Sequence, residues 1–236
     1  MWVYIVVGIG VVLLLLLCFC LAVANFSFEN FKEKREEAMS YGNSANMAVE
    51  DFVEEVIDNH LNGSLRIETC EEYQDHFSPG VIALSPSTKR SNSLASLSTV
   101  SHELGHAIQY EKGELTRLWQ KRKQNRIIGK FFLPFIILGL VFSILGLVNV
   151  LPFYVVYIGI GFFGVSFLIF LVAIYIKYLE IKIEKGASKY AIEVLGEFLG
   201  GEELKICKEF LDSARLTYWG SLFRTMLGWT FLTKRS

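Results

Sequence analysis

The sequence predicts a mostly α-helical membrane protein in which a small mixed α/β segment lies between membrane helices. Three observations support this fold class. Of the 236 residues, 52% are hydrophobic, which is more than an ordinary soluble domain carries. Two stretches, 1–28 and 131–176, contain no charged side chain. The stretch between them, 29–130, is polar and charged, and it is long enough to fold as a small domain.

The first charge-free stretch predicts a retained transmembrane anchor. Val3–Val23 is long enough to cross a bilayer as a helix, which takes about 20 residues. A cleaved signal peptide is the alternative, because Ala22-Val23-Ala24 has the A-x-A form of a cleavage site. We favour the anchor because no positive residue precedes the apolar run, and because the run exceeds the roughly 7–15 residues of a signal-peptide core.

The second charge-free stretch, 131–176, is too long for one crossing and predicts a transmembrane helical hairpin. The predicted helices are Phe131–Val148 and Phe153–Ile176. Asn149-Val150-Leu151-Pro152 supplies the turn between them, because proline cannot continue a helix and asparagine tolerates turn geometry.

The positions of lysine and arginine predict the orientation of these helices. Positive residues flank the hairpin on both sides and are absent from its turn; they are Arg117, Lys121, Arg122, Lys123, Arg126 and Lys130 before it, and Lys177, Lys182, Lys185 and Lys189 after it. Lys32, Lys34 and Arg35 follow the anchor. Because cytoplasmic flanks are enriched in positive residues, we expect a multi-pass protein of the cell membrane with its polar segments in the cytoplasm.

The polar segment shows patterns of short helices and strands. Apolar residues recur at helical spacing in 45–60 and in 94–113, and those of 94–113 form one apolar stripe. Two other stretches have the pattern of short strands, and a Pro-Gly turn precedes the second of them. The predicted elements are helices over 31–39, 45–60 and 94–113 and strands over 65–67 and 81–84.

Residues 102–106, with the sequence HELGH, form an HExxH motif on the last of these helices. A spacing of four puts His102 and His106 one turn apart on one face, so both imidazoles can bind one metal ion. Glu103 is offset by about 100° around the helix axis, which suits a group that contacts a metal-bound water. The uncharged neighbours allow this helix to be buried while its ionisable groups serve the ion.

This motif predicts amide-bond hydrolysis with one Zn²⁺ per chain. A zinc ion with three protein ligands keeps a position for water and lowers the pKa of that water to about 7. Glu103 would accept the water's proton during attack on a carbonyl and pass it to the departing nitrogen. The expected partners are a peptide or protein substrate and the lipid bilayer. The alternative is a zinc-binding membrane protein without catalysis, which serves assembly or scaffolding.

No nucleic-acid partner is expected. The formal net charge is only −1, and no tract combines a basic face with interleaved aromatic side chains.

Two histidines leave a zinc site one protein ligand short. No histidine follows His106 in the chain, and His60 and His76 lie upstream of the motif. Glu180 and Glu184 come directly after the hairpin, on a helix that is expected to emerge on the same side as the motif. The residues alone leave both glutamates open as the third ligand.

Four stretches of the sequence carry a resemblance to a known family. They are Asp75-His76-Phe77-Ser78-Pro79 with Ile82-Ala83-Leu84-Ser85, Ser101–Gln109 (SHELGHAIQ), Glu184-Lys185-Gly186-Ala187-Ser188, and Asp212–Tyr218 (DSARLTY). In these the chain resembles the YugP-like membrane zinc metallopeptidases, distant relatives of the HtpX-type membrane proteases. The resemblance implies a gluzincin-like zinc endopeptidase with a small α+β zincin-like domain around the HExxH helix. It also implies that Glu184 is the third zinc ligand, with Glu180 as the alternative.

The chain departs from the family pattern in the first of these stretches. Phe77 and Ser78 stand where the family has a tyrosine and an aspartate, so a substrate-side role for this loop is not carried over. We expect His76 to be a structural histidine rather than a ligand. In related zinc peptidases an edge strand pairs with the substrate, and Val81–Leu84 is expected in that place. An ordinary short strand that covers the core is the alternative.

The end of the chain predicts a further helical segment. Residues 216–232 are mostly apolar and would form a fourth crossing, a re-entrant segment or an interfacial helix. We favour a helix at the cytoplasmic surface, because Lys234 and Arg235 would resist translocation. The predicted organisation is an anchor over 1–28, a cytoplasmic segment over 29–130, a hairpin over 131–176, and a C-terminal segment over 177–236 that supplies the third metal ligand.

Overall fold

The computed structural model describes residues 2–61, 65–71, 75–115 and 131–226. These residues are mostly helical and include one small sheet, which confirms the predicted secondary-structure content. The membrane topology and the zincin-like domain stay predictions. The helices are α1 (Trp2–Ser40), α2 (Val49–His60), α3 (Pro86–Lys89), α4 (Leu94–Glu111), α5 (Phe132–Leu147), α6 (Val155–Leu195) and α7 (Gly201–Met226). The strands are β1 (Arg66–Thr69), β2 (His76–Ser78) and β3 (Val81–Leu84).

The chain divides into two compact units. The motif unit, which contains the HExxH helix, comprises Phe26–Arg117 and Ile181–Tyr218. The apolar unit comprises Met1–Asn25, Leu118–Glu180 and Trp219–Ser236. These ranges include residues outside the described part of the chain. Each unit has its own cluster of packed apolar residues.

Helices α2 and α4 supply most of the core of the motif unit. The predicted apolar stripe of α4 is confirmed, because all five of its members are buried; they are Leu94, Leu97, Val100, Leu104 and Ile108. The Ser93 side chain caps the start of α4 by accepting a hydrogen bond from the backbone N–H of Ser96 at 3.2 Å. Gly113, with φ of +73°, follows its last turn in the left-handed conformation that favours glycine.

The sheet has the strand order β1-β3-β2, with β1 parallel and β2 antiparallel to β3. Val81–Leu84 is therefore the central strand, so the alternative of an edge strand open to a substrate is wrong and that of an ordinary short strand that covers the core is confirmed. The physical reason is that both sides of its backbone are used for pairing, and Ile82 and Leu84 are fully buried. The short strand β2 was not predicted, and it forms one edge. The predicted turn before β3 is confirmed at Gly80, which has φ of +79°.

Asp75 fastens the start of β2 to the segment after β3. Its Oδ1 accepts a hydrogen bond from the backbone N–H of Ser85 at 2.6 Å, and its Oδ2 accepts one from the Thr88 hydroxyl at 2.7 Å. A carboxylate that receives two such bonds fixes the two chain segments against each other. Asp75 thereby has a structural role in the first of the four family-like stretches.

The parts of α1 and α7 that belong to the motif unit pack against each other. The rings of Phe31 and Phe210 are stacked with their centroids 5.6 Å apart. One turn further along, the Lys34 ammonium lies 2.6 Å from a carboxylate oxygen of Glu209. The hydrogen bond from Lys34 lowers the pKa of Glu209 below its ordinary value.

In the apolar unit, two helices joined by a turn occupy the range of the predicted hairpin, and its crossing of a membrane stays a prediction. Helix α5 and the first part of α6 are joined by a turn in which Asn149 has φ of +60°, which confirms the predicted role of this asparagine. Gly159 permits their close approach, because a Cβ at this position would overlap the Ser143 hydroxyl. Helix α6 is long and apolar enough to cross a membrane by length and composition, and α5 is a shorter apolar helix.

Two predicted boundaries differ from the observed helices. The second hairpin helix does not end at Ile176, because α6 continues without a break to Leu195. Lys177 marks a change in hydropathy there, but it does not stop a helix. The predicted helical segment 216–232 is described as far as Met226, where α7 ends, and 227–232 lie outside the described residues. The positive cluster from Arg117 to Lys130 also lies outside them.

Candidate metal centre

The two histidines of the HExxH motif face a glutamate from α6. The Nε2 atoms of His102 and His106 lie 3.0 Å and 3.2 Å from the same Oε2 atom of Glu184. The imidazole rings stand at 80° to each other with their centroids 4.8 Å apart. Glu184 is buried, with a relative exposure of 1%, whereas each histidine keeps some contact with solvent. The site is therefore a buried carboxylate beneath two partly accessible imidazoles.

This ligand set fits a divalent transition metal. The donor atoms of His102, His106 and Glu184 all lie within 4.8 Å of one another. Two ligands at the usual zinc distance in tetrahedral geometry are about 3.3 Å apart, and the two imidazole–carboxylate distances are close to this value. Two nitrogens and one oxygen are also a donor set that catalytic zinc uses. The three residues can therefore hold zinc with little rearrangement.

Gln109 fixes the orientation of His106. Its Nε2 donates to the backbone carbonyl of Ile183 at 3.0 Å, so its Oε1 faces His106 and lies 3.0 Å from Nδ1. Since an amide oxygen only accepts, the His106 Nδ1 carries the proton and Nε2 is left for a metal ion. The residue is buried, with a relative exposure of 1%. Gln109 thus connects the tautomer of His106 to the helix that carries Glu184.

Ser188 makes the corresponding contact to His102. Its hydroxyl lies 3.2 Å from His102 Nδ1, one turn along α6 from Glu184. A hydroxyl can accept the proton of Nδ1, which again leaves Nε2 for the ion. Both imidazoles are therefore held by a second polar contact, as is usual for metal-binding histidines.

Small residues allow α4 and the Glu184 part of α6 to approach closely. A Cβ on Gly105 would overlap the backbone carbonyl oxygen of Ala187. A Cβ on Gly186 would overlap the amide nitrogen of Gln109. The glycine inside the HExxH motif thus allows close packing against the helix that carries Glu184, the third member of the cluster.

The electrostatics of the cluster follow from this geometry. Burial by itself would raise the pKa of Glu184, but the hydrogen bonds with His102 and His106 outweigh burial and hold its pKa well below its usual range. Burial by itself would lower the pKa of His106, but the hydrogen bond and charge of Glu184 outweigh it and raise this pKa. The buried carboxylate is therefore stabilised as an anion by its contacts with the two imidazoles.

Glu103 lies beside the cluster and is fixed by the sheet. Its Oε2 accepts a hydrogen bond from the backbone N–H of Phe77 at 2.9 Å. Phe77 is the middle residue of β2 and packs its ring 5.9 Å from that of Tyr110, on the same helix as Glu103. The carboxylate also lines a cavity that reaches His102 and Glu184. The orientation of the Glu103 side chain is thus fixed by a contact with an edge strand as well as by its own helix.

The other residues considered as ligands lie elsewhere. Glu180 makes an ion pair with Lys177 at 2.9 Å and is absent from the cluster of donor atoms found among the described residues. His60 contacts Glu197 at 3.2 Å. His76 is an exposed residue of β2 and is likewise absent from the cluster in the described part of the chain.

Gln109, Ser188 and the amide of Phe77 were not predicted as parts of the site. The sequence did contain a signal for Gln109, because a polar residue three positions after His106 lies on the same face of a helix with a buried stripe. Ser188 has the same relation to Glu184, at a spacing of four. A backbone amide has no side-chain signal, and the three-residue strand that carries it is too short to show alternation.

The fold and the site define a helical protein with a His-His-Glu cluster that could hold a metal ion, in which an acidic residue lies next to the first histidine. A comparison with known families matches residues 10–232 to the family described as "Putative neutral zinc metallopeptidase". The chain belongs to this family, as the resemblance implied. No curated protein matches the chain, and no solved structure matches it.

Proposed function

We propose that the chain is a membrane-embedded zinc endopeptidase in which His102, His106 and Glu184 bind one zinc ion and Glu103 is the general base. The observation that carries this proposal is the meeting of Glu184 Oε2 with both imidazoles across 82 and 78 positions of sequence. Two histidines on one helix turn are common, whereas a buried carboxylate at ligand distance from both completes a donor set for zinc. Membership of a zinc metallopeptidase family supports the same chemistry.

Bound zinc would polarise the substrate carbonyl and lower the pKa of a coordinated water. The remaining steps belong to the chain. Gln109 and Ser188 hold the two imidazoles with Nε2 turned inward. Glu103, aimed by the Phe77 amide, takes a proton from the attacking water and returns it to the departing nitrogen.

Non-catalytic binding would need the same three ligands but would have no use for Glu103. The test is Glu103→Gln, which keeps the shape of the side chain and an oxygen that can accept from Phe77. Zinc content is expected to stay near that of the wild type, while the rate of peptide hydrolysis falls by about 10²–10⁴-fold. Metal analysis and cleavage of a denatured protein by the same preparation measure both. Full cleavage by this variant would remove Glu103 from the mechanism, and zinc binding without turnover in the wild type would favour a scaffold.

The proposed setting is a multi-pass protein of the cell membrane with its active site on the cytoplasmic side. The charge-free stretches 1–28 and 131–176, the exposed apolar side chains of α5 and α6, and the lysines that follow the hairpin support it. We assign 29–130 and 177–236 to the cytoplasm. Membrane or soluble polypeptides would then reach the site from that side.

A further inference from the structure

A cavity of about 150 Å³ opens beside the metal centre within the motif unit. His102, Glu103 and Glu184 are among its lining residues. The other lining residues come from α1, α4, α6 and α7, so the cavity extends beyond the ligand cluster. A group that enters it would lie next to the position of the reacting peptide bond.

The walls away from the metal centre are mainly apolar. Phe31 and Phe210 contribute their stacked rings, and Leu211 and Ala214 line the same side. Phe210 and Leu211 are each only 4% exposed, so these walls are anchored in the core. An apolar protein cavity of about 150 Å³ is large enough for a benzene ring. The cavity therefore has the size of a leucine or phenylalanine side chain.

The polar groups that line the cavity already have partners. The Thr99 hydroxyl donates to the carbonyl of Ala95 at 2.9 Å, and the Ser188 hydroxyl contacts His102. At the rim, the Arg215 guanidinium lies 3.1 Å from the carboxylate of Asp212. An apolar side chain that enters would gain from burial against the mainly apolar walls, whereas a polar one would lose part of its water there.

We infer that this cavity binds a large apolar side chain, of the size of leucine or phenylalanine, from a substrate residue that flanks the scissile bond. This inference rests on the proposed function, because a side chain in the cavity flanks the scissile bond only if the adjacent cluster binds the catalytic zinc. Ala214 is the residue best placed to set the size limit, because it lines the cavity with a single methyl group. The enzyme would then choose cleavage sites by one buried side chain.

Peptide binding to the zinc-loaded, full-length Glu103→Gln protein tests this inference without requiring turnover. The probes are blocked, dye-labelled polyalanine peptides of eight residues that carry one central leucine or one central asparagine, which is similar in size. Fluorescence anisotropy is expected to show about tenfold tighter binding of the leucine peptide, because one apolar side chain is buried. Equal affinity for the two peptides would overturn the inference.

Two further measurements locate the preference in the cavity. Adding Ala214→Leu should reduce the preference for leucine to less than about threefold, because the new side chain fills the space. Lys208→Leu adds the same side chain at an exposed position of α7 and should leave the preference unchanged. In the protein with the native cavity, affinity should rise from alanine to phenylalanine and fall for tryptophan. A preference that survives Ala214→Leu, or a series without an upper size limit, would contradict this location.

Cleavage by the wild type separates the two proposals. Product termini from a denatured protein should show large apolar residues enriched at one position beside the cut bonds. Cleavage with no such enrichment would overturn the inference and leave the peptidase proposal intact. A leucine preference in binding without any zinc-dependent cleavage would overturn the peptidase proposal and leave the cavity with its ligand.

Discussion

Glu184 is the residue that completes the candidate metal centre, because one of its oxygens contacts both imidazoles. Spacing alone did not separate it from Glu180, since the two glutamates are one turn apart on the same helix. The structure separates them by their contacts: Glu184 is buried against the histidines, and Glu180 is paired with Lys177.

The corresponding prediction compares Glu184→Ala with Glu180→Ala. The first variant is expected to lose bound zinc, because only two ligands remain, while the second keeps about one equivalent. Metal content after dialysis measures the difference, and circular dichroism checks that both variants keep their helices. If Glu184→Ala also kept about one equivalent of zinc, Glu184 would not be a ligand.

Gln109 contacts His106 and would act on a bound metal through this imidazole. We predict that Gln109→Ala weakens zinc binding by about 10–100-fold, because it removes the acceptor that fixes the imidazole tautomer. Competition with a chromogenic chelator measures this affinity. Glu111→Gln is the matched control, because it changes an exposed residue of the same helix. An affinity unchanged in Gln109→Ala would mean that His106 does not need this contact.

At the scale of elements, the contact between α4 and α6 is set by Gly105. We predict that Gly105→Ala lowers the free energy of unfolding of the motif unit by about 1–3 kcal/mol and also weakens zinc binding, because the new methyl group meets the Ala187 carbonyl. Thermal unfolding and chelator competition measure the two effects.

The control for this substitution is Gly201→Ala. Gly201 opens α7, and a Cβ built there has no neighbour within 4 Å. Replacing it should leave stability unchanged or raise it slightly, since alanine reduces the freedom of the unfolded chain. Equal losses at both glycines would point to backbone freedom rather than to close packing as the cause.

The elements that the sequence predicted are those with a periodic pattern. Helix α4 followed from its apolar stripe, and β3 from a short apolar run after a Pro-Gly turn. The position of β3 in the centre of the sheet did not follow, because strand order depends on which segments meet and not on the pattern within one strand. The end of α6 was misplaced because hydropathy changes at Lys177, while helical structure persists until Gly196.

The candidate site was predictable only where local helix geometry fixes the relation between residues. His102, Glu103 and His106 lie within one helical turn, so their relation is fixed by local geometry. Glu184 comes from another helix, and its selection rested on the family resemblance. The contacts of Gln109 with Ile183 and of Glu103 with the Phe77 amide depend on how distant segments pack, which no local pattern encodes.

At the scale of the whole molecule, the proposed topology makes a labelling prediction. In a variant without the native cysteines, Val150→Cys at the hairpin turn should react with a membrane-impermeant maleimide added to intact cells. Glu111→Cys, at the end of α4, should react only after the membrane is opened. Both positions are exposed in the structure, so burial does not explain a difference between them. The opposite pattern would reverse the orientation, and labelling of both in intact cells would rule out the proposed sidedness.

The hydrogen bond between the Phe77 amide and Glu103 also concerns the behaviour of the molecule in solution. Strand β2 forms one border of the sheet, and amides at such a border can recruit a strand from another copy and start aggregation. Here the carboxylate that serves the chemistry also occupies the amide of the middle residue of that border. Glutamine at position 103 can still accept the hydrogen bond from the Phe77 backbone N–H through its side-chain oxygen, whereas alanine would leave that N–H without this acceptor. An inactive form intended for crystallisation should therefore carry glutamine, and an alanine form is expected to self-associate more readily.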